Sequence, residues 1–162
     1  MTQSAYNRLK LDEDKFRDMI EGIKEVINLE DPTNKRVWAM RLDKELDLYR
    51  QSCPIGIIGV VFESRPDVIV QISSLMIKSG NVVIMKGGKE AQNTNVILYE
   101  TINKALNDTG GIPENLINLL LTRHDFQEIL KLEDTIDLII PRGSADLSLI
   151  HISEPTRPEP IS

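Results

Sequence analysis

Cysteine is nearly absent from the 162-residue sequence, and so are several other features that define classes of protein. The single cysteine cannot form a disulfide within the chain, which favours a reducing compartment such as the cytoplasm. No apolar run reaches the length of a membrane-spanning helix, and no charged and apolar leader is present, so we expect neither membrane insertion nor secretion. The net charge of −6 argues against a nucleic-acid partner, because phosphate binding requires a basic face.

Residues that commonly carry catalysis or metals are also sparse. Cys53 precedes Pro54 just before a predicted strand. It therefore lies at the amino ends of the strands, opposite the carboxyl ends where we expect ligand chemistry, and we do not expect it to be a nucleophile. His124 and His151 have no partners at the spacing of a metal site or a catalytic triad, and we expect His124 on the surface at a helix end. No GxGxxG fingerprint is present, so an ordinary Rossmann domain is not supported. The sequence predicts no metal site and no catalytic residue in this chain.

The first third of the sequence predicts a helix and a pair of short strands. Helical spacing over residues 12–29 predicts a helix that Asp12 caps and Asp31-Pro32 ends. One face of this helix is apolar, and it consists of Phe16, Met19, Ile20, Ile23, Val26 and Ile27. Loose alternation over residues 36–53 predicts two antiparallel strands, with Leu46, Leu48 and Trp38 on one side.

After Ile55 the pattern changes to strands that alternate with helices. Strands are predicted at residues 57–62, 82–85, 117–121 and 137–140, and helices at 67–78, 90–107 and 125–132. The continuously apolar first strand is typical of a strand covered on both faces. We expect the inward side chains of the second helix to be Ile97, Ile102, Ala105 and Leu106, with Met76 and Met85 filling the core. The alternation predicts an α/β fold with right-handed crossovers, a mostly parallel sheet and flanking helices.

Cations and glycines recur where three of these strands end. They are Glu63, Ser64 and Arg65 after the first strand; Lys86, Gly87, Gly88 and Lys89 after the second; and Arg142, Gly143 and Ser144 after the last. The carboxyl ends of parallel strands share one edge, where α/β proteins hold ligands. We therefore expect a nucleotide or another phosphorylated ligand there. The alternative interpretation is that these cations are ordinary residues of solvated loops.

Several motifs in this order resemble one enzyme family. PIGIIGVVFESRPD, SGNVVIMKGGKEA, DLIIPRGS and RLKLDEDKF are similar to segments of glutamate-5-semialdehyde dehydrogenase (γ-glutamyl phosphate reductase), a family of the aldehyde dehydrogenase superfamily. The similarity covers about residues 6–146. FESRPD and KGGKEA also resemble the reductase domain of the bifunctional pyrroline-carboxylate synthase.

The resemblance implies roles for the strand-end residues. This superfamily binds its nicotinamide cofactor without the glycine fingerprint. Lys86 matches a lysine that contacts the adenosine ribose, and a cation at Lys89 would attract the 2′-phosphate of NADPH. Gly143 and Ser144 match the turn beside the pyrophosphate and nicotinamide of NADPH/NADP. Glu63, Ser64 and Arg65 match the turn at the active-site mouth, where Arg65 is our candidate for holding a substrate phosphate or carboxylate.

The resemblance also implies an activity for the family. That activity is the NADPH-dependent reduction of L-glutamyl 5-phosphate to L-glutamate 5-semialdehyde in proline biosynthesis. The nucleophilic cysteine of the family lies downstream of this sequence, so we expect an oxidoreductase fragment that is inactive alone. One alternative is a non-catalytic nucleotide-binding or interaction module of the same fold. Another is a relative that acts on a different acyl donor, such as an acyl-CoA reductase, against which KGGKEA and ESRPD argue.

These interpretations divide the chain into four parts. Residues 1–35 are an N-terminal helical segment, 36–54 a β segment of the oligomerisation type, and 55–146 a partial NADP-binding α/β domain. We expect the intact enzyme to be a cytoplasmic homo-oligomer, because the superfamily assembles through the β segment. Residues 147–162 lose periodicity, and LSLIHISEPTR looks like the translation of a transposase-type sequencing adaptor. We therefore expect this tail to be non-native.

Overall fold

The computed structural model describes residues 6, 8–132 and 134–143 of the chain. The elements in chain order are α1 (Glu13–Asn28), β1 (Arg36–Asp43), β2 (Leu46–Gln51), β3 (Ile57–Phe62), α2 (Val68–Ser79), β4 (Val82–Lys86), a 3₁₀ turn (Lys89–Ala91), α3 (Gln92–Thr109), β5 (Ile117–Leu120), α4 (Arg123–Leu130) and β6 (Leu138–Arg142). Ser144, His151 and the predicted non-native tail 147–162 lie outside the described residues. No helix in the described part is both long and apolar enough to cross a membrane.

The main sheet has four parallel strands in the order β5-β4-β3-β6. Successive strands step in one direction from β3 to β5, and the chain then crosses back to add β6 on the other side of β3. Because parallel crossovers are right-handed, α2 and α3 cover one face of the sheet and α4 covers the other. The predicted α/β fold with a mostly parallel sheet is confirmed, and the strand order reverses between β3 and β6.

One face of this sheet forms the core. Residues paired in register point to the same face, and the core side chains of the strands are Ile58, Val60, Phe62, Val83, Met85 and Ile117. Helix α2 covers them with Val68, Ile69 and Ile72. Five of the six residues of β3 are buried, which confirms a strand covered on both faces. Met85 is fully buried and Met76 packs against the core, as predicted.

Helix α1 begins and ends as predicted, but its apolar face is mostly exposed. Asp12 caps it by accepting a hydrogen bond from the Lys15 backbone N–H at 3.2 Å. The helix packs against α2, and Met19 is its one buried residue. Phe16, Ile20, Ile23 and Ile27, which we predicted on the same face, are exposed. The described residues therefore leave much of this face without a covering element.

The predicted strand pair is confirmed as an antiparallel hairpin of β1 and β2. Every residue of the two strands is exposed, including Trp38, Leu46 and Leu48. Two of its cross-strand contacts are polar or cationic: Arg41 Nε donates to Asp47 at 2.9 Å, and the Arg36 guanidinium lies 4.2 Å from the centre of the Tyr49 ring. The hairpin thus stands apart from the core.

Two helices differ in detail from their predictions. Helix α3 starts at Gln92 because residues 89–91 form a 3₁₀ turn first. Ile102 and Leu106 pack against the core, but Ile97 is 62% exposed and Ala105 is exposed, so the inward positions predicted for those two were wrong. These two residues lie on the flank of α3 that no described element covers. Helix α4 starts two residues early, at Arg123, because Thr122 caps it.

Candidate functional site

The candidate site begins at the carboxyl ends of β3 and β6, where the strand order reverses. In open α/β sheets this switch point is where ligands bind outside the carboxyl ends of the strands. Phe62 and Arg142 are register partners at the ends of the two strands. The next residues meet each other, since a Cβ added to Gly143 would lie 3.0 Å from Glu63 Oε2. Gly143 therefore lets the β6 end approach the carboxylate of Glu63 closely.

The turn after β4 lies at the same edge. Gly87 is buried, and a Cβ built on it would overlap Asn95 Nδ2 and lie 3.1 Å from the Phe62 ring. A Cβ on Gly88 would overlap the Glu90 carboxylate, 2.6 Å from its Cδ. Each of these two glycines therefore has a reason within the protein, because neighbouring side chains occupy the space that a Cβ would need.

Of the cations at this edge, Lys86 is the most buried. Its Nζ donates a hydrogen bond to the Gly87 carbonyl oxygen. Burial lowers the pKa of Lys86, while the nearby Glu90 carboxylate raises it and the Arg123 guanidinium lowers it further. Arg123 begins α4, with two residues between it and the end of β5, and sequence reasoning missed it. The strand-end rule that selected the other cations would have found Arg123 if it had been applied to β5.

Lys86 and Arg142 share the edge but not a face of the sheet. Lys86 pairs with Val61 and Arg142 pairs with Phe62, and consecutive residues of a strand point to opposite faces. The backbones of the two cations lie about 10 Å apart, which is two strand spacings. Lys89 is exposed on the 3₁₀ turn. A single ligand can therefore contact Lys86 and Arg142 only by crossing the end of β3.

A hydrogen-bonded pair joins the turn after β3 to the turn after β4. Glu90 Oε1 accepts hydrogen bonds from the Ser64 backbone N–H at 2.9 Å and from Ser64 Oγ at 2.6 Å. The bond from Ser64 is the main reason that the pKa of Glu90 is lowered. We did not single out Glu90 from the sequence, although it lies in the motif KGGKEA.

Arg65 lines a separate cavity beside α1. Its guanidinium donates to Asp67 Oδ2 at 2.7 Å, and Asp67 is 8% exposed. The cavity has a volume of about 710 Å³, and its other lining residues are Arg8, Lys15, Asp18, Met19 and Gln71. Glu63 and Arg65 thus lie in different places, because Glu63 lies beside Gly143 whereas Arg65 lines the cavity.

The remaining candidates lie away from this edge. Cys53 is exposed and precedes β3, so it lies toward the amino ends of the strands. His124 is exposed near the start of α4, as predicted, 3.9 Å from the Glu128 carboxylate. Within residues 6, 8–132 and 134–143, no three His, Cys, Asp or Glu side chains group in a way that could hold a metal ion.

The fold is that of an α/β domain of the aldehyde dehydrogenase type. A probable aldehyde dehydrogenase from Listeria monocytogenes superposes with a TM-score of 0.69 at 16% identity, over 88% of this chain and 31% of that one. That likeness concerns the fold alone. A scan against profiles of known protein families finds no match.

Proteins of higher sequence identity are γ-glutamyl phosphate reductases. The crystal structure of γ-glutamyl phosphate reductase from Saccharomyces cerevisiae has a TM-score of 0.84 and 42% identity, over 91% of this chain and 38% of that one. The γ-glutamyl phosphate reductase of Brachyspira hyodysenteriae is 52% identical over 147 residues, which is 91% of this chain and 34% of the relative. The resemblance to the γ-glutamyl phosphate reductases is thereby confirmed. The chain spans about a third of the length of the curated relatives it matches.

Proposed function

We propose that this chain is the cofactor-binding part of an NADPH-dependent reductase that converts L-glutamyl 5-phosphate to L-glutamate 5-semialdehyde in proline biosynthesis. The observation that carries the proposal is the reversal of strand order between β3 and β6, where Glu63 lies close to Gly143 at the carboxyl ends of both strands. The 52% identity to a γ-glutamyl phosphate reductase supports the choice of reaction.

The edge of the sheet fits an anionic dinucleotide. Lys86, Lys89, Arg123 and Arg142 supply positive charge along it. Lys86 would contact the adenosine ribose, Lys89 the 2′-phosphate, and Arg142, Gly143 and Ser144 the pyrophosphate side. The turns Lys86–Gly88 and Arg142–Gly143 flank β3, so a molecule extended across the strand end reaches both. NADPH would supply a hydride when bound.

The substrate side of the proposal rests on Glu63, Ser64 and Arg65. Arg65 would pair with the phosphate or a carboxylate of L-glutamyl 5-phosphate, since a guanidinium matches both groups with two parallel hydrogen bonds. Cys53 lies at the wrong edge for this turn, so the nucleophile of the reaction must come from outside this chain. We therefore propose that the chain alone has no turnover.

Assembly and location complete the proposal. The exposed β1–β2 hairpin, residues 36–51, supports a role for segment 36–54 in forming a homo-oligomer of the whole reductase. The single cysteine, exposed and without a disulfide partner, suits a cytoplasmic enzyme. We propose no nucleic-acid or membrane partner.

The cofactor assignment can be tested by titrating this chain with NADPH and NADH in a calorimeter. We expect NADPH to bind more tightly, and Lys89→Glu to weaken NADPH on the order of fivefold to tenfold while leaving NADH nearly unchanged. Lys104→Glu, an exposed α3 lysine, provides the matched control and should change neither affinity. Equal weakening of both nucleotides by Lys89→Glu, or no saturable binding at all, would refute the assignment.

The second candidate is a non-catalytic nucleotide-binding or interaction module of the same fold. It is favoured by the position of Cys53, the only cysteine, away from the strand-end edge. Extending the source gene distinguishes the two candidates. A reading frame that continues past Asp146 to a further cysteine supports the reductase, and a native stop codon near residue 162 supports the module.

A further inference from the structure

Ser64 adopts a backbone conformation that serine rarely occupies. Its φ is 49°, in the left-handed region, where a Cβ comes too close to the following carbonyl oxygen. The other described non-glycine residues with positive φ are Asn34 and Asn115, and asparagine tolerates this region. Ser64 is therefore the exception, and the surrounding structure must hold it in place.

The holding group is Glu90. Its Oε1 accepts both the backbone N–H and the hydroxyl of Ser64, at 2.9 and 2.6 Å. Charge-assisted bonds of this kind are about twice as strong as neutral ones. Ser64 follows β3, whereas Glu90 lies in the 3₁₀ turn after β4, so one carboxylate fixes two strand-end turns to each other.

Gly88 supports the same arrangement. Its backbone angles, φ −62° and ψ 147°, are open to any residue, so conformation does not explain the glycine. A Cβ at this position would overlap Glu90 Oε1 and lie 2.6 Å from Cδ and 2.7 Å from Oε2. The space that Gly88 leaves empty is the space that the Glu90 carboxylate needs when it bonds to Ser64.

We propose that Glu90 is a positioning residue that fixes the substrate turn, Glu63–Arg65, relative to the cofactor turn, Lys86–Lys89. With Ser64 left-handed, Glu63 lies against Gly143 and Arg65 pairs with Asp67 beside the cavity. Release of Ser64 would redirect both neighbours. The naming of the two turns rests on the proposed function, but the bond between them does not.

The first experiment needs no ligand and measures hydrogen exchange at the Ser64 amide by NMR. We expect Glu90→Ala and Gly88→Ala each to speed this exchange at least about tenfold, since both remove the acceptor from the Ser64 N–H. Gly88→Ala makes the decisive comparison because it changes no charge. Glu90→Gln keeps an acceptor oxygen and should restore most of the protection. Glu100→Ala, an exposed α3 glutamate, should have no effect.

Two outcomes of that experiment decide the proposal. Faster exchange at Ser64, with unchanged protection at Val60 and Met85 in the core, supports it. Wild-type exchange at Ser64 in both alanine variants overturns it. If either variant also loses core protection, Ser64→Ala provides the remaining test. It removes only the hydroxyl bond to Glu90, and it should speed exchange of the amide at position 64 while core protection stays unchanged.

The second experiment asks whether the turns are coupled, using NADPH as the probe. In the wild type, NADPH should shift the amide resonances of Lys86–Lys89 and also those of Glu63–Arg65. In Gly88→Ala the first shifts should remain and the second should shrink at least about threefold. Undiminished shifts at Glu63–Arg65 overturn the positioning role. If NADPH shifts neither turn in the wild type, the cofactor assignment fails, and the exchange experiment still decides the role of Glu90.

Discussion

Three glycines at the carboxyl edge exclude larger residues for three different reasons. Gly87 is enclosed by Asn95 and the Phe62 ring, Gly88 makes room for a carboxylate, and Gly143 abuts Glu63. Gly87 is the most constrained of them, because both of its neighbours belong to the buried core and cannot move aside.

The Gly87→Ala variant should therefore be destabilised. We expect a loss of about 1–3 kcal/mol in the free energy of unfolding, because the new methyl group overlaps Asn95 and presses on Phe62. Urea unfolding followed by circular dichroism measures this loss. The matched control is Gly22→Ala in α1, where a Cβ meets no atom within 4 Å. That change should raise stability by about 0.5–1 kcal/mol, and a loss in the control or none at Gly87 would contradict the packing argument.

The carboxylate of Glu90 should make stability depend on acid pH. Its pKa is lowered from the ordinary value of 4.5, chiefly by the Ser64 hydroxyl and also by the Ser64 amide and Lys86. Its stabilising contribution is fully present above pH 4.5 and is lost as the pH falls through the lowered folded-state pKa. Wild type should lose more stability than Glu90→Gln between about pH 6 and pH 3 in urea titrations. Parallel loss in the two proteins would show that Glu90 contributes nothing.

Sequence reasoning placed the predicted strand-end residues at one edge of the sheet, but it did not predict the bonds between them. The periodicity of the apolar residues predicts the alternation of strands and helices, and this alternation places Lys86 and Arg142 at strand ends. The bond from Glu90 to Ser64 depends on a left-handed backbone and a 3₁₀ turn, which no periodicity reveals. The opposite faces of Lys86 and Arg142 depend on a register that is fixed only when β3, β4 and β6 pair.

At the scale of elements, the strands of the sheet were the most predictable. β3 begins and ends as predicted because an unbroken apolar run is bounded by Gly56 and Glu63. Helix ends were less predictable, since they depend on single side chains. In α4 a capping box decides the start: Thr122 Oγ1 accepts from the Asp125 N–H at 3.0 Å, and Asp125 accepts from the Thr122 N–H at 3.3 Å. Inward positions on α3 depend on which elements lie beside it.

Removal of this cap should weaken α4. We expect Thr122→Ala to cost about 1 kcal/mol of unfolding free energy, because the Asp125 N–H loses its acceptor. Thr122→Ser keeps the hydroxyl and should cost no more than a few tenths of that. Thermal unfolding followed by circular dichroism compares the two variants. Equal destabilisation by alanine and serine would point to lost packing of the threonine methyl group instead.

At the scale of the whole molecule, the described residues leave three apolar surfaces uncovered. They are the β1–β2 hairpin with Trp38 and Leu48, the α1 face with Phe16 and Ile27, and the β6 edge with Leu138 and Ile140. Clustered apolar side chains that stay exposed mark interaction sites or aggregation-prone surfaces. Exposed strand edges such as that of β6 also pair readily with other chains.

The isolated chain should therefore self-associate or bind hydrophobic dyes. We expect concentration-dependent light scattering and raised fluorescence of an anilinonaphthalene dye, both reduced by the double change Trp38→Lys and Leu48→Lys on the hairpin. The pair Lys24→Ala and Lys104→Ala, on α1 and α3, controls for general effects of surface substitution. A sharp monomer peak with cooperative melting and no dye signal would contradict the expectation.

The placement of β6 beside β3 has a consequence for biosynthesis. The hydrogen bond from the Ile57 N–H to Asp137 joins residues that are 80 positions apart in the chain. A ribosome adding roughly 5–20 residues per second needs about 4–16 seconds to make that stretch, whereas β4 is made soon after β3. During this delay one edge of the nascent β3 is unpaired, and it can pair with β3 of another chain that is being made on the same polysome. Translation speed between codons 57 and 137 should therefore govern how much of the newly made protein misassembles.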